Sequence, residues 1–207
     1  MKVYKTEEIK NIAILGNSGT GKTTLAEAML LESGLINRRG TVEGKNTVCD
    51  YFPVEKEYGY SVFSTVLSYE WKGKMMTFID CPGSDDFVGN VVTALNVTDM
   101  ALMLIDASSG VEVGTVNQFR YVDDLQKPMV LLVNRMDHEK ADFDNTLNSL
   151  KEFYGNKVVP VQYPVGSGTS FVGIVDVLKQ KFYKWAPGAT APEVLDIPDG
   201  EQAQADA

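Results

Sequence analysis

The stretch Gly16-Asn17-Ser18-Gly19-Thr20-Gly21-Lys22-Thr23-Thr24 constrains this chain more than any other. It follows an apolar run at 12–15, opens a helix-forming stretch at 22–33, and fits the spacing G-x-x-x-x-G-K-[ST]. Glycines so placed let backbone N–H groups wrap a phosphate, and a helix N-terminus adds the positive end of its dipole. Lys22 can reach the outer phosphate oxygens, and the Thr23 hydroxyl is suited to bind Mg2+. A glycine-rich turn arising by chance would explain the loop but not the strand before it and the helix after it.

The remaining pattern predicts an α/β fold. Runs at 100–105 and 129–133 are apolar on successive positions, as in strands covered on both faces. Helical stretches at 86–96, 114–126 and 142–155 lie between or after them; in the last, Phe143, Leu147, Leu150 and Tyr154 share a face and Gly155 ends it. Residues 60–71 alternate, with Phe63, Leu67, Tyr69 and Trp71 on one side, and are expected to pair antiparallel with 75–79 through Lys72-Gly73. The expectation is a doubly wound, mostly parallel sheet with one antiparallel strand over 1–155, its ligand at the carboxyl ends of the strands. Residues 34–59 show little period and read as a long functional loop, a candidate switch. Short strands at 158–167 and 171–185 place the start of a small, truncated insert subdomain at 156–207. After Pro198 a helix begins that Ala207 cuts short, so the chain is expected to continue in a longer protein.

Composition bounds the partners. With 44% hydrophobic residues among 207 the chain can bury a sizeable core, and its apolar runs are too short to span a membrane. Two cysteines, Cys49 and Cys81, and no apolar leader fit a reduced, cytoplasmic setting. The 28 acidic against 19 basic residues argue against direct DNA binding, although Glu193, Asp196, Asp199, Glu201 and Asp206 concentrate part of that excess near the end. The chain is expected to be monomeric.

Two further motifs stand in order after the first. Asp80-Cys81-Pro82-Gly83 ends the strand at 75–79; Asp80 can hold Mg2+ through a water and the Gly83 amide can meet a γ-phosphate, so the loop can sense that group. Alone, such a tetrapeptide is a common turn. Asn134-Arg135-Met136-Asp137 ends the strand at 129–133, and a carboxylate at Asp137 accepts from N1–H and the 2-amino group of guanine. Adenine offers neither donor, which favours GTP or GDP over ATP. The stem and planar head of Arg135 can lie over the base. Cys81 reads as a small residue packed under the strand.

Together these residues resemble the N-terminal GTP-binding domain of bacterial elongation factor G, over nearly the whole chain. The stretch 50–62, DYFPVEKEYGYSV, resembles the end of that family's switch I, and 141–178 resembles its last core helix and the start of its insert. The latter stretch favours this family over tetracycline ribosomal-protection proteins and initiation factors. The resemblance implies GTP/GDP with Mg2+, a metal shell drawn from Thr23, Asp80 and Ser61, and a ribosome partner for the full protein. Ser61 stands where the family has a Thr, and is otherwise a polar-face residue of the alternating strand. The alternative is a stand-alone regulatory GTP-binding switch; a β-barrel and further domains beyond Ala207 would favour the translation factor.

The departures from that family cluster near the γ-phosphate. Ser84 replaces the catalytic His of the Asp-Thr-Pro-Gly-His pattern, and the chain's single His, His138, adjoins the guanine motif. Gly19 replaces a P-loop Asp, Ser18 an apolar residue near the attacking water, Tyr60 an apolar switch I residue and Tyr58 a basic one. Ser84 is short and neutral, and Asp85 and Asp86 beside it would repel phosphate charge, so GTP hydrolysis is expected to be weak or lost. The alternative is that Ser84 is an ordinary loop residue and a partner brings the missing group. The family's last guanine-binding loop, a Ser-Ala turn, has no match; 166–170, GSGTS, is a misplaced substitute.

Overall fold

The computed structural model describes residues 2–186, 188–189 and 191–206. Two compact units divide the chain: Met1–Ile105 with Glu112–Asn134, and Asp106–Val111 with Arg135–Ala207.

In the first unit, β1 (Ile9–Gly16) lies at the centre of a five-stranded sheet ordered β2-β3-β1-β4-β5. It pairs in parallel with β3 (Lys74–Asp80) and β4 (Met100–Asp106), and β5 (Met129–Asn134) forms one edge. Ala13, Ile14 and Leu15 are fully buried because helices cover both faces. Ile12 and Ile14 pack with Ala26 and Leu30 of α1 (Lys22–Glu32), together with Leu67 and Phe78. By alternation, Ala13 and Leu15 face the other side, where α3 (Val88–Val97) and α4 (Val113–Asp124) pack on β1. The register sets Ile14 opposite Asp80 and Gly16 opposite Leu104, so the loops after β1 and β3 leave the sheet at one end.

The expected hairpin is present, with β2 (Thr65–Trp71) antiparallel to β3 and Leu67 opposite Phe78. Lys72 and Gly73, at φ 46° and 79°, supply the two positive-φ residues that such a two-residue turn requires. Tyr69 stacks on Phe78 at 5.7 Å. The strand starts at Thr65, however, and 60–64 are not in it. Their backbone is held elsewhere: Glu55 Oε1 accepts from the amides of Val62 (3.0 Å) and Phe63 (3.1 Å). Phe63 accordingly leaves the expected face and packs on Phe52, with ring centroids 4.8 Å apart.

The 34–59 segment is also more ordered than its composition suggests, because α2 (Pro53–Tyr58) lies within it. Pro53 suits the first helical position, Gly59 ends the helix at φ 73°, and the Glu55 carboxylate turns back to the Phe52 amide at 3.2 Å. Glu55 is thus a buried carboxylate serving three amides. Glu55→Ala is expected to cost about 3 kcal/mol in urea unfolding, the penalty of orphaned buried donors, and to open 50–63 to proteolysis. Unchanged cleavage there would show that Glu55 does not hold the segment.

The second unit carries an antiparallel sheet, β6 (Gln162–Val165), β7 (Gly173–Asp176), β8 (Lys181–Lys184) and β9 (Glu193–Leu195), in that order. Tyr163, Val175, Phe182, Ile197 and Ala205 form its core, with Phe143, Val165 and Val177 against it. α5 (Phe143–Tyr154) belongs to this unit; the Asp142 carboxylate caps it by accepting from Asn145 N–H at 2.9 Å, and Gly155 ends it. The short α6 (Gln202–Ala205) buries Ala205, and the Tyr163 hydroxyl donates to Glu201 O at 3.0 Å. Among the described residues no helix is long and apolar enough to cross a membrane.

Candidate functional site

The loop after β1 turns directly into α1. The amides of Gly19, Gly21, Lys22 and Thr23 make no hydrogen bond within the protein among the described residues, as expected for an anion cradle at a helix start. Lys22 is buried, and its Nζ donates to Gly16 O and Asn17 O at 2.8 Å each. Burial lowers its pKa, against the opposing pull of Asp80. Ser18, Gly19 and Thr24 are exposed at the rim, while Thr20 is buried, its hydroxyl on Asn17 O. Gly21, at φ 95°, lies so close to Asn134 that a Cβ would stand 2.5 Å from Asn134 Nδ2, which itself donates to Thr20 O at 2.8 Å.

The loop after β3 rests on this cradle. A Cβ on Gly83 would collide with Lys22 Nζ and stand 2.7 Å from the Ser18 amide, so only glycine fits there. Cys81 and Pro82 are buried beneath, and burial pushes the Cys81 thiol up to about 12, consistent with a packing role.

Thr23, Asp80 and Ser61 stand together. Thr23 Oγ1 donates to Asp80 Oδ2 at 3.0 Å and stands 3.3 Å from Ser61 Oγ; Ser61 Oγ donates to Asp50 Oδ1 at 2.7 Å. Asp80 is 2% exposed, and its second oxygen, Oδ1, is buried with no hydrogen bond of ordinary geometry, although the Cys49 thiol lies close enough to the carboxylate to pull its pKa down. Burial pushes its pKa up to about 6, outweighing Lys22 and the Thr23 hydroxyl, which pull it down. A buried carboxylate with an unused oxygen beside two hydroxyls is a donor set that fits Mg2+.

Three buried groups in this region escaped the sequence reading. Glu27, on the core face of α1, accepts from Gly40 N–H at 2.9 Å and from Val48 N–H, fixing the loop that runs from 40 to 48. Asp50, held by Thr47 and Ser61, has its pKa raised chiefly by burial. Gln118 of α4 takes both backbone groups of Gly16: Oε1 accepts from its N–H at 2.7 Å and Nε2 donates to its carbonyl at 3.3 Å. Nearby, Asn17 Nδ2 donates to Glu112 Oε2 at 2.8 Å, and Asn117 Nδ2 to Asp85 Oδ2 at 3.1 Å. For Glu27 and Gln118 a charged or amide side chain among apolar neighbours of a helix was the available signal; Asp50 lies in a loop and gave none.

Ser84 caps a short turn, Asp85–Phe87. Its hydroxyl donates to Asp86 Oδ2 at 3.3 Å and accepts from the Asp86 amide at 3.4 Å. Tyr58 and Tyr60 are exposed, their rings 5.9 Å apart.

In the second unit, Arg135 stands at φ 60° and its guanidinium pairs with Asp106 Oδ2 at 3.1 Å. Burial would raise the Asp106 pKa, but the Ser108 hydroxyl and amide and then Arg135 hold it below its ordinary value. Asp137 is exposed and makes no hydrogen bond within the protein among the described residues. Met136 O accepts from the Gly168 amide at 2.8 Å, so GSGTS packs against the backbone that follows β5.

A family model described as the elongation factor Tu GTP binding domain matches residues 7–187. The chain belongs to that family. This GTP-binding domain is 38% identical over 179 residues to the elongation factor G-like protein of Thermotoga maritima, covering 86% of this chain and 26% of that protein. It is 34% identical to elongation factor G 2 of Streptomyces coelicolor, over 96% of this chain and 29% of that protein. Against the mitochondrial ribosome-releasing factor 2 of Danio rerio it is 37% identical, over 88% of this chain and 24% of that protein. A crystal structure from Thermus thermophilus superposes with a TM-score of 0.88 at 32% identity, covering 96% of this chain and 29% of that one. The domain therefore spans roughly a quarter of the length of the relatives it matches.

Proposed function

We propose that this chain is the nucleotide-sensing domain of an elongation-factor-G-like ribosomal translation factor that binds Mg-GTP and hydrolyses it slowly or not at all by itself. The observation that carries this reading is the Asp80 carboxylate, buried with Oδ1 unpartnered while Oδ2 accepts from the Thr23 hydroxyl, which itself stands 3.3 Å from that of Ser61. Thr23, Ser61 and Asp80, the last through water, would hold Mg2+, which when bound supplies positive charge against the phosphates. Lys22, Gly83 and the cradle amides orient the phosphates, while Asp137 reads the guanine edge and Arg135 covers the base. Residues from about 156 begin an insert subdomain. The names of the relatives point to a ribosome partner. The acidic composition opposes a DNA partner, and we take the protein to be monomeric and cytoplasmic.

Equilibrium binding of GDP against ADP, followed by single-turnover GTP hydrolysis with and without ribosomes, tests this reading. GDP should bind at least a hundredfold more tightly than ADP, as expected when a site built for hydrogen bonds meets a base that lacks them. Equal affinities would refute the guanine reading. Rapid unaided hydrolysis would refute the sensing one.

A further inference from the structure

The Gly16 backbone is held by a side chain 102 residues away, and the role of Gln118 there goes beyond packing. Gly16 ends β1 at φ 139°, where a Cβ would stand 2.5 Å from Leu104 O, so its peptide groups set the direction in which the phosphate loop leaves the sheet. Gln118 is 2% exposed and spends its whole carboxamide on that one residue, accepting from the N–H and donating to the carbonyl. Because the Gly16 N–H can only donate, Oε1 must face it, and Nε2 is left for the carbonyl. That carbonyl also accepts from Lys22 Nζ at 2.8 Å.

A lysine that turns toward bound phosphate leaves its carbonyl partners, and a buried carbonyl left without a donor is costly. At Gly16 the second donor is already in place. The same helix and the residue before it reach the neighbouring loops, Glu112 accepting from Asn17 and Asn117 donating to Asp85. A Cβ on Gly114 would stand 2.8 Å from Asn17 Oδ1, which shows how closely α4 approaches the phosphate loop.

We propose that Gln118 is a positioning residue for phosphate binding: it fixes the Gly16 peptide groups and keeps that carbonyl satisfied when Lys22 moves to the nucleotide. This inference rests on the nucleotide-binding reading above. It concerns the β-phosphate end of the ligand, not the base.

The test compares affinities for GDP and GMP, with Mg2+ present, in the full chain. Gln118→Met conserves volume and removes both hydrogen bonds; Gln118→Glu keeps the acceptor for the Gly16 amide and removes the donor to its carbonyl. The GDP-to-GMP affinity ratio isolates binding at the β-phosphate, which a general loss of stability leaves alone. Gln118→Met should lower that ratio about tenfold, the usual order for an orphaned buried polar group, and Gln118→Glu should lower it in the same direction. Val122→Ala, buried on the same helix, should lower the melting temperature and leave the ratio unchanged. Should the Met variant fail to fold, Gln118→Leu, which is uncharged and also removes both hydrogen bonds, decides. A wild-type ratio in the folded Gln118 variants overturns the inference, whereas a wild-type chain that binds ADP as well as GDP overturns the functional reading instead.

Discussion

In the nucleotide-free chain, Asp80→Asn is expected to raise stability by about 3 kcal/mol at pH 8 and to change it little near pH 4, while weakening Mg-GTP binding at least tenfold. The sign follows from burial. The Asp80 pKa lies at about 6 in the fold against 3.8 for the free group, so the folded state holds the proton more firmly than the unfolded one. Its favourable contribution is complete below pH 3.8 and is lost as pH rises through about 6. Above that, the fold carries a desolvated carboxylate whose Oδ1 has no donor, and an amide of the same shape removes the charge. Urea denaturation of both proteins at pH 4, 6 and 8 gives the difference directly. A difference independent of pH would show that Asp80 is not the strained group. The stability lost at neutral pH is the expected cost of a site kept ready for a cation, and the fall in Mg-GTP affinity measures what is gained.

Much of this arrangement was legible because its signals are local. Strand, glycine loop and helix around Lys22 occur within a short stretch, and Lys72-Gly73 declares its hairpin by turn chemistry alone. The alternation at 60–71 misled at 60–64, since it records which side chains are apolar and not which acceptor takes the backbone amides. Glu55 took those of Val62 and Phe63, and the strand could begin only after them. Arg135 shows a similar limit: a planar cation suited to cover a base is held by Asp106, a residue at the end of another strand. Gln118 looked like one polar residue on an amphipathic helix, because its partner is Gly16 and nothing in the local sequence names it. For 166–170 the reading was half complete: it does not match a Ser-Ala turn, yet the Gly168 amide binds Met136 O.

The largest gain of function is expected from Ser84→His, which should speed ribosome-dependent single-turnover GTP hydrolysis at least tenfold over the wild type. Ser84 offers little to an attacking water as it stands. Its hydroxyl is engaged with Asp86 on both sides, and Asp85 is held by Asn117. The cap it provides is long, at 3.4 Å, so its removal should cost only about 1 kcal/mol and leave the turn in place. An imidazole at this position would reach farther and bring a group able to orient water or meet phosphate charge, and such groups are typically worth about a hundredfold or more. Tenfold is the lower bound because the resemblance to elongation factor G places other residues at Gly19 and Ser18 as well, so the water's surroundings are expected to stay altered even after the substitution. Ser84→Ala completes the argument: with the hydroxyl spent on Asp86, its loss should leave hydrolysis within about twofold of the wild type. A tenfold fall in that variant would make Ser84 a catalytic residue in its own right, and would mean that the Asp86 contact opens when nucleotide and ribosome are bound.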